Sequence, residues 1–395
     1  MIGPLAGGHA LAAVPVSRDS ARLTGHLRRF SLEQATLRDD ADLRHLLRST
    51  PMDGPIRLCL QREPDFFAAA RIGNDATQVI VGRELATGHV ASTATRAIRR
   101  AFVNGQEGVV GYLSSLRVRS DAARTTLLAR GYRYLRELHS DARVQYYVTT
   151  ILEGNSAARH ILTSERAGLP LYVPVGRLQT YLVPLYKRRR SVASDSVARG
   201  AAPEILPPAF ECLNAFNTGL QFAPVYRPED LGSGSHLLPG LTTADLFVYR
   251  CGSEIAGTMA VWDQSGLKQT VVNGYSRKMM ALRPFLNAAS HFGLAPRLPS
   301  PGRSLPCLYA ALLSSRDSDV EIFRSMLETV IAEHSDRGFA YLLVGLCDRH
   351  PFCEVVEQRA AMKVASDIYV VYWRDCPPVS PPSTTRIPHL EIATL

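Results

Sequence analysis

The chain has 395 residues, 46% of them hydrophobic and 21% charged, a composition that belongs to globular proteins and excludes wholesale disorder. It is too long for one ordinary core and suits two domains of about 150 to 180 residues, and no apolar run approaches the roughly 18 residues of a membrane span. The formal charge of +9 invites a polyanionic partner, yet the arginines are scattered and the one dense run, Lys187-Arg188-Arg189-Arg190, lies in a linker-like stretch, so neither nucleic acid nor membrane is expected as a partner.

Residues 1 to 29 lack sustained periodicity and read as a loose leader. Ser31 to Leu37 can form an edge strand. Asp39-Asp40 then opens a helix through Leu43, Leu46 and Leu47, and Glu63-Pro64-Asp65 starts a second one through Phe66 and Phe67. The pattern next changes to period two. Gln78 to Val81 and His89 to Ala94 read as a hairpin, Ile98 to Val103 continues the strand, and Asn104-Gly105 is a strong turn signal. An apolar run from Val109 to Val118 makes a strand. After it, Leu127, Leu128, Gly131, Tyr134, Leu135 and Leu138 follow at helical spacing. Between strand and helix lies the polar turn Arg119 to Thr126. The first helix amides there have no intrahelical acceptor and sit at the positive dipole end, with Arg119, Arg124 and Arg130 nearby, so the turn suits an anion.

This strand-turn-helix resembles motif A of the GCN5-related N-acetyltransferases (GNAT), a strand like Leu116-Arg117-Val118 followed by Arg-x-x-Gly-x-Gly/Ala. The motif falls on Arg124, Thr125, Thr126, Leu127, Leu128 and Ala129. Leu127 stands where the family usually has Gly. The resemblance implies acetyl-CoA as co-substrate, with its pyrophosphate on the amides of residues 124 to 130 and its pantetheine arm along Leu116 to Val118. It also implies an Asn-x-x-Ala motif followed by a Tyr acid four residues on. Asn155 and Ala158 match, but Leu162 replaces the Tyr. Tyr172 is the candidate substitute acid, and Glu107 and Tyr112 are candidate bases.

The remaining elements extend the resemblance. Val144 to Ile151 is a buried strand, a short helix begins near Asn155, and Tyr172-Val173 and Leu178 to Val183 supply closing strands. Lys187 to Pro203 has linker composition. The same grammar then returns: a hairpin over Leu246 to Trp262, a strand Cys307 to Leu313, a helix from Val320, a strand Phe339 to Leu346, a helix Phe352 to Met362 and a strand Ile368 to Trp373. The fold class is therefore α/β (α+β), with two tandem GNAT domains at 30–186 and 204–375, each a mixed, mostly antiparallel sheet flanked by helices, joined by the linker 187–203. The Pro-rich stretch from 376 to 395 reads as a disordered tail. In the second repeat the turn Ser314 to Asp319 carries two carboxylates, poor company for a pyrophosphate, which makes the first repeat the cofactor-binding one.

The seven cysteines form no C-x-x-C pair and read as reduced thiols. The start of the chain has no secretory pattern, so a cytoplasmic location is expected, with no metal. The expected activity is acetyl transfer from acetyl-CoA to an amine-bearing acceptor. A catalytically silent CoA sensor or interaction platform is the rival.

Overall fold

The computed structural model describes residues 29–395 apart from 53, 55, 124, 167, 186–193, 201, 233 and 336. The first half contains β1 (Phe30–Gln34), α1 (Asp40–Ser49), β2 (Ile56–Gln61), α2 (Phe66–Arg71), β3 (Ala76–Glu84), β4 (Val90–Val103), β5 (Gln106–Val118), α3 (Leu127–His139), β6 (Tyr147–Leu152), α4 (Ser156–Leu162) and β7 (Leu171–Pro184). The second contains β8 (Val197–Arg199), α5 (Leu206–Asn217), β9 (Leu246–Cys251), β10 (Glu254–Trp262), β11 (Gln269–Tyr275), α6 (Arg277–Ser290), β12 (Cys307–Ser315), α7 (Val320–His334), β13 (Tyr341–Cys347), α8 (Cys353–Glu357) and β14 (Met362–Tyr372).

Local chemistry accounts for most boundaries. Asp65 caps α2 through its carboxylate and the Ala68 N–H, 2.9 Å apart, and Asn104-Gly105 turns β4 into β5 with φ of 54° and 83°. Three differences from the periodicity reading stand out. The two closing strands expected at Tyr172-Val173 and Leu178 to Val183 are one strand, β7. The helix expected over Phe352 to Met362 is cut to α8, and β14 begins at Met362. Part of the linker, β8, pairs with β9; the Lys187 to Arg190 run lies outside the described residues.

Twelve strands form one sheet in the order β1-β3-β4-β5-β6-β14-β7-β13-β12-β10-β9-β8. Read outward from its centre, the two sides are the same motif: β6 and β13, β5 and β12, β4 and β10, β3 and β9, β1 and β8 correspond. The parallel pairs β5–β6 and β12–β13 sit at matching places. The repeat is completed by exchange. β7, the last strand of the first half, lies beside β13, while β14, the last strand of the second, lies beside β6. The two pair antiparallel with each other along eleven residues of β14. Each half therefore closes its sheet with the other's final strand, and hydrophobic clusters cover both faces of the join.

The C-terminal stretch corrects the sequence reading. Residues 376–395 were expected to be disordered, yet they are ordered against the sheet. The amide of Gln221 donates to the Ile387 carbonyl and that of His389 to the Gln221 carbonyl, at 2.9 and 2.7 Å. Leu390, Glu391, Ala393 and Thr394 are buried. Its proline and serine content hides an apolar ending, Leu390-Glu391-Ile392-Ala393-Thr394-Leu395, that supplies the burial energy.

Candidate active site

In each half, two parallel strands run together briefly and then part. β5 and β6 pair only at Gly111–Tyr147 and Tyr112–Val148. Beyond that point the Leu113 carbonyl accepts from the Thr149 hydroxyl, 2.7 Å away, in place of a strand amide. Ser115 bulges from β5 with φ 57°, turning Leu116 to Val118 along β4 alone. Among the described residues, no strand pairs with the β6-facing edge of β5 after Tyr112.

The second half has the same cleft in a different state. β12 and β13 pair from Cys307 to Tyr309, and Leu312 bulges with φ 52°. Here the C-terminal stretch fills the gap. The Leu312 N–H donates to Glu391 Oε2 at 3.0 Å, and Ile392 packs so closely on Gly345 that a Cβ there would lie 2.6 Å from it. Burial pushes the Glu391 carboxyl up to about 7. Outside this cleft a cavity of about 680 Å³ borders the Ser315 to Ser318 turn, but the carboxylates of Glu211, Glu254 and Asp317 line it and would repel a diphosphate.

The first-half turn departs from its expected charge. Arg119 was read as part of a basic turn. Its guanidinium instead pairs with Asp121 at 2.6 Å and Glu84 at 2.7 Å, and Arg29 joins the same two carboxylates. Arg119 holds the Asp121 carboxyl down to about 2. Arg130 turns its Nη2 to the Phe30 carbonyl, 2.9 Å away. Arg124 lies outside the described residues. The backbone keeps its potential: the Leu127 N–H is capped by the Thr125 hydroxyl at 3.3 Å, whereas the N–H groups of Leu128 and Ala129 find no acceptor among the described residues. Thr126 opens the helix without a side-chain cap. Leu127, the departure from the motif, is 3% exposed and packs with Phe30, Ala91 and Ala122.

The other candidates are dispersed. Tyr112 is buried at the point where the strands part, its ring 4.2 Å under the Arg99 guanidinium, and burial raises its phenol. Arg117, next to Leu116 and Val118, donates to the Leu116 carbonyl at 2.9 Å. Glu107 is exposed at the far end of β5, five residues from Tyr112 or about 17 Å along the strand, near Arg227. Tyr172 is locked in the core by its hydroxyl contact with Tyr132 and an edge contact with Tyr369, and burial raises it far above an ordinary phenol. Asn155 caps α4, accepting from Ala158 N–H at 3.1 Å. The structure thus gathers Tyr112, Leu116, Arg117 and Val118 with the Thr125 to Ala129 turn on one strand-turn-helix, and sets Glu107, Tyr172 and Asn155 apart from it.

Sequence reading missed the cations around Tyr112. Arg99 is 3% exposed, with Nη2 enclosed and unpartnered; Arg62 Nη1 is likewise enclosed, over the Phe66 ring. Burial lowers Arg99 and brings Arg62 down to about 10. Lys268 Nζ donates to the main-chain oxygens of Ala393 at 2.8 Å and Leu395 at 3.0 Å. Burial, with Arg62 and Arg99 adding repulsion, lowers it to about 7. These residues lie on elements far apart in sequence, with no spacing that links them.

No family model matches the sequence, and no curated relative matches it either. Solved structures do. Two structures of Saccharomyces cerevisiae N-myristoyltransferase with bound myristoyl-CoA superpose with TM-scores of 0.56 and 0.57 at 10% and 11% identity, covering 93% and 91% of this chain and 86% and 84% of theirs. A GCN5-related N-acetyltransferase from Sphaerobacter thermophilus superposes with TM-score 0.50 at 11% identity, covering 87% of this chain and 95% of its own. Such identities speak to fold alone, and the fold they share with this chain is the one motif A implies: the protein has the GNAT fold, in tandem.

Proposed function

We propose that the protein is an acyltransferase that binds an acyl-CoA thioester in the first-half cleft and passes the acyl group to an amine by direct attack. The observation that carries this reading is the contrast between the clefts: one bulged strand edge has no strand partner among the described residues, and its twin is filled by the chain's own residues. A pantetheine arm carries amides suited to the free edge of β5, and the Leu128 and Ala129 amides suit its diphosphate. The amine nitrogen would bond to the thioester carbon, the C–S bond would break, CoA would leave as thiolate and the amine proton would pass to solvent. Burial, with the cations near Tyr112 adding repulsion, would favour the neutral, nucleophilic form of a bound amine, as it does for Lys268. No Glu or Tyr base is needed for that. Acetyl is the group motif A implies; the likeness to structures holding myristoyl-CoA favours testing longer chains beside it.

The silent-sensor reading draws on the neutralised Arg119 and the missing Tyr at Leu162. Free thiol release, followed with a panel of amines and with acyl-CoA of increasing chain length, separates the two. Turnover with any pair supports the enzyme. Tight acyl-CoA binding with thiol release no faster than buffer in every pair assigns the sensor.

A further inference from the structure

Between Asp263 and Asp317 the sequence has no carboxylate, while it carries Lys268, Arg277, Lys278, Arg283, Arg297, Arg303 and Arg316. This stretch holds an excursion from the sheet. β11 leaves to pair with β2, and α6 follows, capped by Ser276, whose hydroxyl accepts from Met279 N–H at 3.3 Å. Met279 and Leu286 turn inward onto Val272, Tyr275 and Leu298, and Arg283 is tied to Leu298 and Ser300. Asn287 also bonds Leu298, and the cluster reaches Ile56 and Leu58 of β2, but none of the residues of α6 is buried.

Its outer side is apolar. Met280 is 59% exposed, Leu282 47%, Phe285 73%, and past the helix end Phe292 is 80% and Leu294 72% exposed. At about 100° per residue, Ala281, Leu282, Phe285 and Ala288 share one face, with Lys278 among them and Arg277 at its edge. Among the described residues, the other large exposed apolar side chains are scattered along the chain. An apolar stripe on an exposed helix, flanked by basic residues in a stretch of sequence without a carboxylate, complements negatively charged headgroups over acyl chains.

We infer that α6 and the loop to Leu294 form an interfacial anchor that lies on an anionic lipid bilayer, with Phe285 and Phe292 inserted. The expectation of no membrane partner rests on the lack of a spanning segment, and a helix lying in the interface needs none. The inference is independent of the acyl-transfer reading.

The test is sedimentation of the full-length protein with phosphatidylcholine vesicles, with and without phosphatidylglycerol, at low salt. Binding is expected to vesicles containing phosphatidylglycerol. The pair Phe285→Ser with Phe292→Ser is expected to weaken it on the order of a hundredfold. The pair Arg277→Gln with Lys278→Gln should weaken it about thirtyfold, only on the anionic vesicles. All four side chains are exposed, so thermal unfolding should be unchanged. No binding by the unaltered protein, or binding that both pairs leave intact, overturns the inference. So does a dimer that the serine pair dissociates while vesicles bind nothing, which would assign the face to a second copy.

Discussion

The two clefts are built from the same parts, and among the described residues only the second is filled by the chain itself. Both have a parallel pair that separates, a bulged residue at positive φ, and a polar turn leading into a helix. In the second, Glu391 and Ile392 occupy the gap, and Asp319 caps α7 by accepting from Glu321 and Ile322 N–H at 2.8 and 3.2 Å. In the first, no described strand pairs with the gap edge, and the Leu128 and Ala129 N–H groups have no acceptor among the described residues. Duplication of a fold thus does not duplicate its packing: one copy gives its cleft to the C-terminal stretch, and the other does not do so in the same way.

The sharpest way to break this comparison is to straighten both bulges. A β-branched residue at positive φ is strained by about 1–2 kcal/mol, so Ser115→Val and Leu312→Val should both destabilise the protein, Leu312→Val the more because it also shortens a buried side chain. Their effects on ligand should diverge. Ser115→Val is expected to lower acyl-CoA affinity by calorimetry by at least about a hundredfold, since every contact along the strand edge shifts. Leu312→Val should leave it within about twofold. Equal losses would mean that the first cleft has no special role.

The filled cleft gives the next largest effect, in stability. Its Glu391 carboxyl titrates near 7 in the folded chain against 4.5 ordinarily, because burial disfavours the charge. The folded state therefore binds the proton more tightly. This group's contribution is complete below about pH 4.5 and is lost as pH rises through about 7. Glu391→Gln keeps an acceptor for Leu312 without the charge, and should raise stability above pH 7 by up to about 3 kcal/mol while flattening the pH dependence. Thermal unfolding from pH 4 to 8 reads it, and a variant that tracks the unaltered protein's slope would show that Glu391 is not enclosed.

How much of this was legible differs between the clefts for a physical reason. The open one is local: strand, turn and helix are contiguous from Val109 to Leu138, so period and capping chemistry located them, and the repeat at Cys307 to Ile331 was readable in the same way. The exchange of β7 and β14 was not, because two strands with equal apolar patterns fit either neighbour, and only register decides. The filling of the second cleft was hidden too. Nothing local tells that Leu390 to Leu395 will find a gap opened by Leu312, or that Lys268 and Arg99 will hold it through Ala393, Thr394 and Leu395. The charge of Arg119 was not legible because a carboxylate two residues away and another on β3 neutralise it.

That neutralised turn can be sharpened. Asp121 is exposed and holds Arg119 with Glu84, so Asp121→Asn should free one positive charge beside the Leu128 and Ala129 amides. Acyl-CoA affinity is expected to rise about three- to tenfold at low salt and to lose most of that gain near 0.5 M, because an exposed charge is screened. No gain at any ionic strength would place the diphosphate elsewhere.

The smallest effect tests whether Asn155 belongs to the site at all. The resemblance implies a cofactor residue, whereas its Oδ1 accepts from Ala158 N–H at the start of α4. Loss of an N-cap costs about 1 kcal/mol, so Asn155→Ala should lower the midpoint of thermal unfolding by a few degrees and leave acyl-CoA affinity alone. Asn155→Ser, which can still cap, should restore the midpoint. The cap and the cofactor role make opposite predictions for the serine variant. A side chain shortened by one carbon and stripped of its amide still serves the Ala158 N–H, but it cannot reproduce a contact that needs the amide. Full stability with weakened acyl-CoA binding in Asn155→Ser would return Asn155 to the cleft, and full stability with unchanged binding leaves the open strand edge and the helix amides to hold the ligand.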